Sequence, residues 1–329
     1  MPQDAKAISD LFREIYGYNY AYPLIYNIDH LKNELSKKSN YWFIGELINK
    51  KEIAGTGLLE RKRYIVHTSQ AVVKKKYQGR GITTNIGSAG ITKVLKMPEF
   101  KNVLRLDSEV RGMKIGAQRL NEKAGAIPFC FIPGYINWGD KRAFKISNNH
   151  PVPPIEEESA FFYAIILNPL WAKREKEIYL LDNEDLLFFY NYVKISSRKM
   201  KKDFLIFENG ENKRAYELYG VSKDYYEGRV NLFGYIKEKS LKHLLKTYKN
   251  WRLIIWRIPT TKNGISSMSL AIKKGFKCVG YDIGFNNINW TLFDSVIFAF
   301  YPNGIQSLEV NCLDKAKPLV KKVNELISS

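Results

Sequence analysis

At 329 residues the chain is too long for one ordinary compact domain and suits two of about 150 to 170 residues each. Its 45% hydrophobic and 26% charged residues exclude a mostly disordered protein, and no apolar run approaches the ~18 residues of a membrane span. The net charge of +19 favours anionic partners, whether nucleic acid, acidic lipid or a phosphorylated cofactor; it equally fits a chain rich in Lys, Ile, Asn and Tyr.

In chain order, Ile8, Leu11, Phe12 and Ile15 recur at helical spacing, predicting a helix from Asp4 to Tyr16 that Gly17 stops. An aromatic loop with Tyr18, Tyr20, Tyr22 and Tyr26 leads to a short helix, Ile28 to Leu35. Strands are expected at Tyr41 to Ile48 and Ile53 to Glu60, joined in a hairpin by the turn 49–51. A third strand, Tyr64 to Val73, runs into Lys74-Lys75-Lys76-Tyr77-Gln78-Gly79-Arg80-Gly81-Ile82-Thr83, after which Thr84 to Leu95 reads as a helix. There follow a strand at Val103 to Val110, a helix at Lys114 to Lys123 closed by Gly125, and a strand at Ile127 to Tyr135. A loop holding the acidic run Glu156 to Glu158 precedes a last apolar strand, Ser159 to Leu167. Asn168-Pro169 then offers turn chemistry suited to a domain boundary.

The second half repeats the style. Asp182 is the expected cap of a helix to about Ser197. Strands are predicted at Phe204 to Phe207, Val230 to Tyr235, Trp251 to Ile258, Phe276 to Phe285 and Trp290 to Phe300, and helices at Lys237 to Tyr248, Ile265 to Lys274 and Leu313 to Ile327. In both halves a strand leads to a short helix, a glycine and another strand, around Gly116–Ala126 and again around Ser267–Phe276, which suggests two copies of one α+β fold.

Cys130, Cys278 and Cys312 are odd in number and never form a CxxC pair, and His30, His67, His150 and His243 lack metal-ligand spacing. Neither a disulfide framework nor a metal is expected. With no basic-then-apolar leader after Met1, the cytoplasm is the expected location.

Chemistry concentrates between the third strand and the following helix. Glycines there let the backbone approach a ligand with successive N–H groups pointing inward, and the helix N-terminus adds positive potential, so the loop suits a pyrophosphate. Arg80 and the three lysines before Tyr77 add charge. Gly-x-Gly by itself also serves simple turns. Around this loop, the succession of two helices, three antiparallel strands, loop, helix, strand, short helix and paired strands resembles the GCN5-related N-acetyltransferase (GNAT) family. That family's acetyl-CoA signature is Gln/Arg-x-x-Gly-x-Gly/Ala, and Gln78, Gly79, Arg80, Gly81 and Ile82 match it.

The resemblance implies an α/β/α sandwich of two GNAT-like domains, each a mixed, mostly antiparallel sheet flanked by helices. Residues 1–168 would bind acetyl-CoA and residues 169–329 would form a second copy, in a layout similar to tandem acetyltransferases of the mycothiol-synthase kind. Cofactor contacts fall on Val72, Val73, Gln78, Gly79, Arg80, Gly81, Ile82 and Thr83. The expected activity is direct attack of a primary amine, on a small molecule or a protein, on the thioester, with an N–H of the bulged third strand stabilising the oxyanion. Glu60, His67 and Glu109 are the candidates for removing the ammonium proton.

Several features depart from the family pattern. Thr83 replaces a Gly or Ala, Asn121 stands where many members carry a thiolate-protonating tyrosine, the chain starts at what is usually the loop after the first strand, which implies a missing edge strand or a misplaced start, and the second half lacks the signature loop. Two alternatives remain beside the enzyme: a CoA-sensing module without catalysis, and an RNA- or aminoacyl-tRNA-dependent transferase. The second would bind with steep salt dependence and has no RNA-binding motif behind it.

Overall fold

The computed structural model describes residues 2–47, 52–146, 150–210, 215–305 and 309–329. Helix α1 (Ala5–Tyr16) buries Ile8, Leu11 and Phe12 along one face and ends at Gly17, whose φ of +60° suits a residue without Cβ. Helix α2 (Ile28–Ser36) is capped by Asn27, whose side chain accepts the His30 N–H at 3.0 Å. Strands β1 (Asn40–Leu47), β2 (Glu52–Lys62) and β3 (Ile65–Val73) form an antiparallel meander, and the expected turn at 49–51 lies outside the described residues. Helix α3 (Ile82–Val94) carries the chain over to β4 (Arg105–Arg111), which runs parallel to β3. Phe43 stands opposite Gly57 in the β1–β2 ladder, and its ring covers the place a Cβ of Gly57 would take.

Helix α4 (Ile115–Lys123), β5 (Ile127–Trp138) and β6 (Glu156–Ile166) follow, so the acidic run opens a strand instead of lying in a loop. There Glu158 accepts from Arg111 and the Met113 N–H, bonds that fix its carboxylate on the strand. Asn168-Pro169 is not a turn either: it starts helix α5 (Asn168–Lys173), where a proline in the first turn forfeits no helical hydrogen bond. After β7 (Glu177–Leu181) comes α6 (Glu184–Ser197), capped by Asn183 and not Asp182; the Asn183 side chain accepts the N–H groups of Asp185 and Leu186.

The remaining elements are β8 (Phe204–Glu208), β9 (Leu218–Asp224), β10 (Arg229–Tyr235), α7 (Glu238–Thr247), β11 (Leu253–Pro259), α8 (Gly264–Lys273), β12 (Lys277–Ile288), β13 (Thr291–Phe300) and α9 (Lys317–Ser328). Of the aromatic residues that read as strand packing in this half, Trp251 and Trp256 are buried, whereas Tyr225-Tyr226 occupy the turn between β9 and β10 and not a strand.

The chain gathers into two compact units. The first holds Met1–Glu109, Trp138–Phe144 and Ala164–Ile166; the second holds Val110–Asn137, Lys145–Tyr163 and Leu167–Ser329. In the first the strand order is β1-β2-β3-β4. In the second it is β6-β5-β12-β13-β11-β10-β9, with β7 and β8 as a separate parallel pair. Mixed sheets, mostly antiparallel and flanked by helices, agree with the expected α+β class. The succession antiparallel pair, crossover helix, parallel strand, helix and glycine occurs twice, as β2-β3-α3-β4-α4-Gly125 and as β9-β10-α7-β11-α8-Gly275.

Candidate active site

The site begins with a bulge in β3. Thr56 pairs with Val72 but Leu58 with Ser69, so one residue of β2 faces two of β3, and Gln70 takes φ +53° to absorb the extra residue. On its other side β3 pairs with β4 from Ile65–Arg105 to Thr68–Ser108, although β3 itself runs on to Val73. Beyond Thr68, among the described residues, no strand pairs with that edge of β3, which is open. The Lys74 N–H donates to Ala54 O on β2 at 2.9 Å, so by strand alternation the Val73 N–H and C=O face the open edge. Val72 and Val73 are buried side chains, with Val73 packed on Ala54 and Tyr77; only backbone groups can serve a ligand lying along the edge, and by the same alternation those of Val72 turn towards β2.

The open edge leads into the glycine loop. Gln78 folds back and donates its Nε2 to the Val73 carbonyl at 3.0 Å. Gly79 and Gly81 hold φ of +76° and +72°, and a Cβ on either would meet no atom within 4 Å, so the loop is open towards solvent. Gly81 is the cap residue of α3 and provides no side-chain bond to the helix, which leaves the first backbone N–H groups of a 13-residue helix directed outward. Oriented N–H groups, a helix N-terminus and room beside both glycines suit a pyrophosphate. The Thr83 side chain lies outside the described residues.

The lysines act differently from the expectation. Lys74 and Lys76 both reach the Glu52 carboxylate, at 2.9 and 2.7 Å, Tyr77 donates its hydroxyl to it at 2.8 Å, and Lys74 also lies 3.6 Å from Glu14. Lys76, Lys74 and Tyr77, in that order, hold the Glu52 carboxyl down at about 2. These two ammonium groups therefore fasten the loop to β2, while Lys75 and Arg80 are exposed beside the glycines. Glu52 carried no sequence signal, because it stands 22 residues before Lys74 and meets it only across the sheet.

Of the three candidate bases the fold brings two together. His67 Nε2 lies 4.0 Å from Glu109 Oε1, each side chain about one-quarter exposed, where β3 and β4 begin to part. Glu60 is opposite His67 in the β2–β3 register, but its carboxylate is 2.8 Å from Lys62 Nζ. Asp107, on the same face of β4 as Glu109, is fixed by the buried Arg105 at 2.7 Å. Asn121 turns its amide to the Ala117 carbonyl of its own helix.

Tyr16, at the end of α1, stacks on Trp138, while in the following loop Tyr20 meets Phe12 edge-on and Trp138 at a tilt, and the Arg142 guanidinium sits 3.6 Å from the Tyr18 ring centroid. Burial pushes the Tyr26 hydroxyl up to about 12. Among the described residues no helix is long and apolar enough to cross a membrane, and no group of three or more His, Cys, Asp or Glu is placed to hold a metal ion. The three cysteines are free.

No family model matches the chain, and no curated protein matches it either. Among solved structures, about half of the chain resembles N-acetyltransferases. The ribosomal-protein-S18-alanine N-acetyltransferase from Escherichia coli shares 17% identity over 50% of this chain and 88% of its own, at a TM-score of 0.37. The ribosomal-protein-S5-alanine acetyltransferase from Vibrio fischeri shares 14% over 51% and 90%, at 0.40. A GNAT-family acetyltransferase from Streptococcus pneumoniae shares 16% over 50% and 95%, at 0.37.

Proposed function

We propose that this protein is a cytoplasmic N-acetyltransferase of the GNAT type, which transfers the acetyl group of acetyl-CoA to a primary amine. In this reading residues 1–168 carry the cofactor and the chemistry, and residues 169–329 are a second, degenerate copy of the fold. The observation that carries it is the continuity of the open β3 edge with the uncapped N-terminus of α3, through two left-handed glycines. The open edge of β3 that ends at the Val73 N–H would hold the extended pantetheine arm as an added strand, and Gln78, Gly79, Arg80, Gly81 and Ile82 would receive the pyrophosphate.

The acyl donor supplies the activated carbonyl carbon. The amine nitrogen attacks that carbon, a backbone N–H at the β3 bulge stabilises the oxyanion, and the C–S bond breaks to release the thiolate of CoA. His67 accepts the proton that the ammonium group must lose, and Glu109, 4.0 Å away, orients the ring and stabilises its cationic form.

In the second half, the matching helix terminus is already filled. Glu217 accepts the Lys237 N–H at 2.9 Å and the Ser240 hydroxyl at 3.1 Å at the start of α7, so a carboxylate of the chain itself sits where a phosphate would. One cofactor per chain is expected.

A second reading, a CoA-binding module without turnover, is favoured by Asn121, whose amide is engaged in its own helix and offers no acid for the thiolate. Calorimetry with acetyl-CoA on the wild type and on Gly81→Trp tests the binding half of both readings. Submillimolar binding at one site per chain, lost in the variant, supports them; no binding to either protein overturns both. Release of free CoA thiol with a panel of amines then separates them.

A further inference from the structure

In the second unit the parallel strands β10 and β11 pair from Arg229–Leu253 to Phe233–Arg257, where the ladder ends. In the first unit β3 and β4 part beside His67 and Glu109. The second unit sets a guanidinium at its own parting point. The Arg257 side chain is only 11% exposed, and its Nε lies 3.6 Å from the carboxylate of Asp282, itself 1% exposed. At that distance the contact is an ion pair and not a hydrogen bond. Nε is cut off from solvent, and among the described residues neither it nor the Nη1 and Nη2 groups, which reach the surface, donates to any acceptor. A donor withdrawn this far from water is costly unless it is bonded. The same unit shows a guanidinium fully bonded. Arg174 spans Asp294 with Nε and Nη2 and spans Asp203 with Nη1 and Nη2, the latter at 2.8 Å each. Arg257 has a first carboxylate, Asp282, on its Nε side and lacks the second.

We propose that the Nη1–Nη2 edge of Arg257 is a binding site for the carboxylate of a small aromatic acid. Charge and shape select the class. A carboxylate lies across both Nη groups in one plane, as that of Asp203 does on Arg174. Phe285 covers the face of the guanidinium, its ring centroid 4.9 Å from Cζ, which leaves the edge for the ligand. Phe233 is opposite Arg257 in the register and so on the same face of the sheet, and it stacks on Phe285 at 6.1 Å and 16°. Both rings are partly exposed and offer an apolar wall to a flat body attached to the carboxylate. The site stands on the second unit alone and does not depend on acetyl transfer in the first.

Titration of the full chain with benzoate, followed by ligand-observed NMR, tests the proposal. Benzamide serves as a neutral probe of the same shape and inorganic phosphate as a second anion. Benzoate should saturate one site per chain, and benzamide should bind about tenfold more weakly or worse. Arg257→Lys keeps a positive charge beside Asp282 but gives up the two-pronged edge, and should cost benzoate about tenfold. Phe233→Ala leaves both charges in place and should weaken benzoate severalfold, which keeps the test valid if Arg257→Lys lowers the thermal midpoint. No saturable benzoate binding at tens of millimolar overturns the proposal. So do equal affinity for benzamide, tighter binding of phosphate than of benzoate, and benzoate affinity unchanged in the variants that keep the wild-type thermal midpoint.

Discussion

A single methyl group is decisive at Gly57. A Cβ there would fall inside the van der Waals radius of the Phe43 ring, and the ring cannot swing away freely because Gly90 of α3 packs against it with a would-be Cβ contact of 3.2 Å. Gly57→Ala is expected to destabilise the protein by about 1–3 kcal/mol through overpacking, read as a lower urea midpoint. Phe43→Leu in the same background should recover part of the loss, because neighbouring substitutions are not additive. At His67 the prediction concerns rate. His67→Ala should lower kcat/KM by roughly 10²–10⁴-fold and leave acetyl-CoA affinity unchanged, with a smaller loss for Glu109→Gln. Weakened cofactor binding in His67→Ala would move the residue from proton transfer to structure.

Among elements, the span from β3 through its loop to α3 is the proposed cofactor site, and its anchor is electrostatic. The Glu52 carboxyl, held at about 2 against an ordinary 4.5, keeps Lys74, Lys76 and Tyr77 against β2. A carboxylate with a lowered folded value contributes stability above its unfolded value and loses it as pH falls through the folded one. The contribution is thus whole above about 4.5 and disappears towards pH 2. Hydrogen exchange at 74–78 should accelerate across that window in the wild type. In Glu52→Gln it should already be fast at neutral pH and lose this acid dependence.

For the whole molecule, the second unit depends on a buried ionic junction. Arg174, at the end of α5, binds Asp203 through two 2.8 Å bonds and Asp294 of β13 through its Nε at 2.7 Å, while Tyr281 and Tyr190 donate to the same two carboxylates. All three charged side chains are almost fully buried. Arg174→Met would leave two carboxylates unpaired in the core and cost about 3–5 kcal/mol, seen as a lower guanidinium midpoint for the unit. An unshifted midpoint would mean that water enters the junction.

Local pattern determined much of this protein from the sequence alone. Helical spacing of Ile8, Leu11 and Phe12, alternation through β1 to β3, and the punctuation of Gly17, Gly125 and Gly275 placed most elements, and the Gln78-to-Ile82 run marked the loop. Other elements were illegible for physical reasons. β9 is exposed on both faces and shows no alternation, and α5 begins with the Asn-Pro pair that reads equally as a turn. The site divided in the same way. Residue type nominated Glu60, His67 and Glu109 together, but only the parallel register of β3 with β4 sets His67 beside Glu109 and leaves Glu60 with Lys62. That two of the loop lysines are spent on Glu52 was decided by contact across the sheet, because ion pairing depends on distance in space and not on separation along the chain.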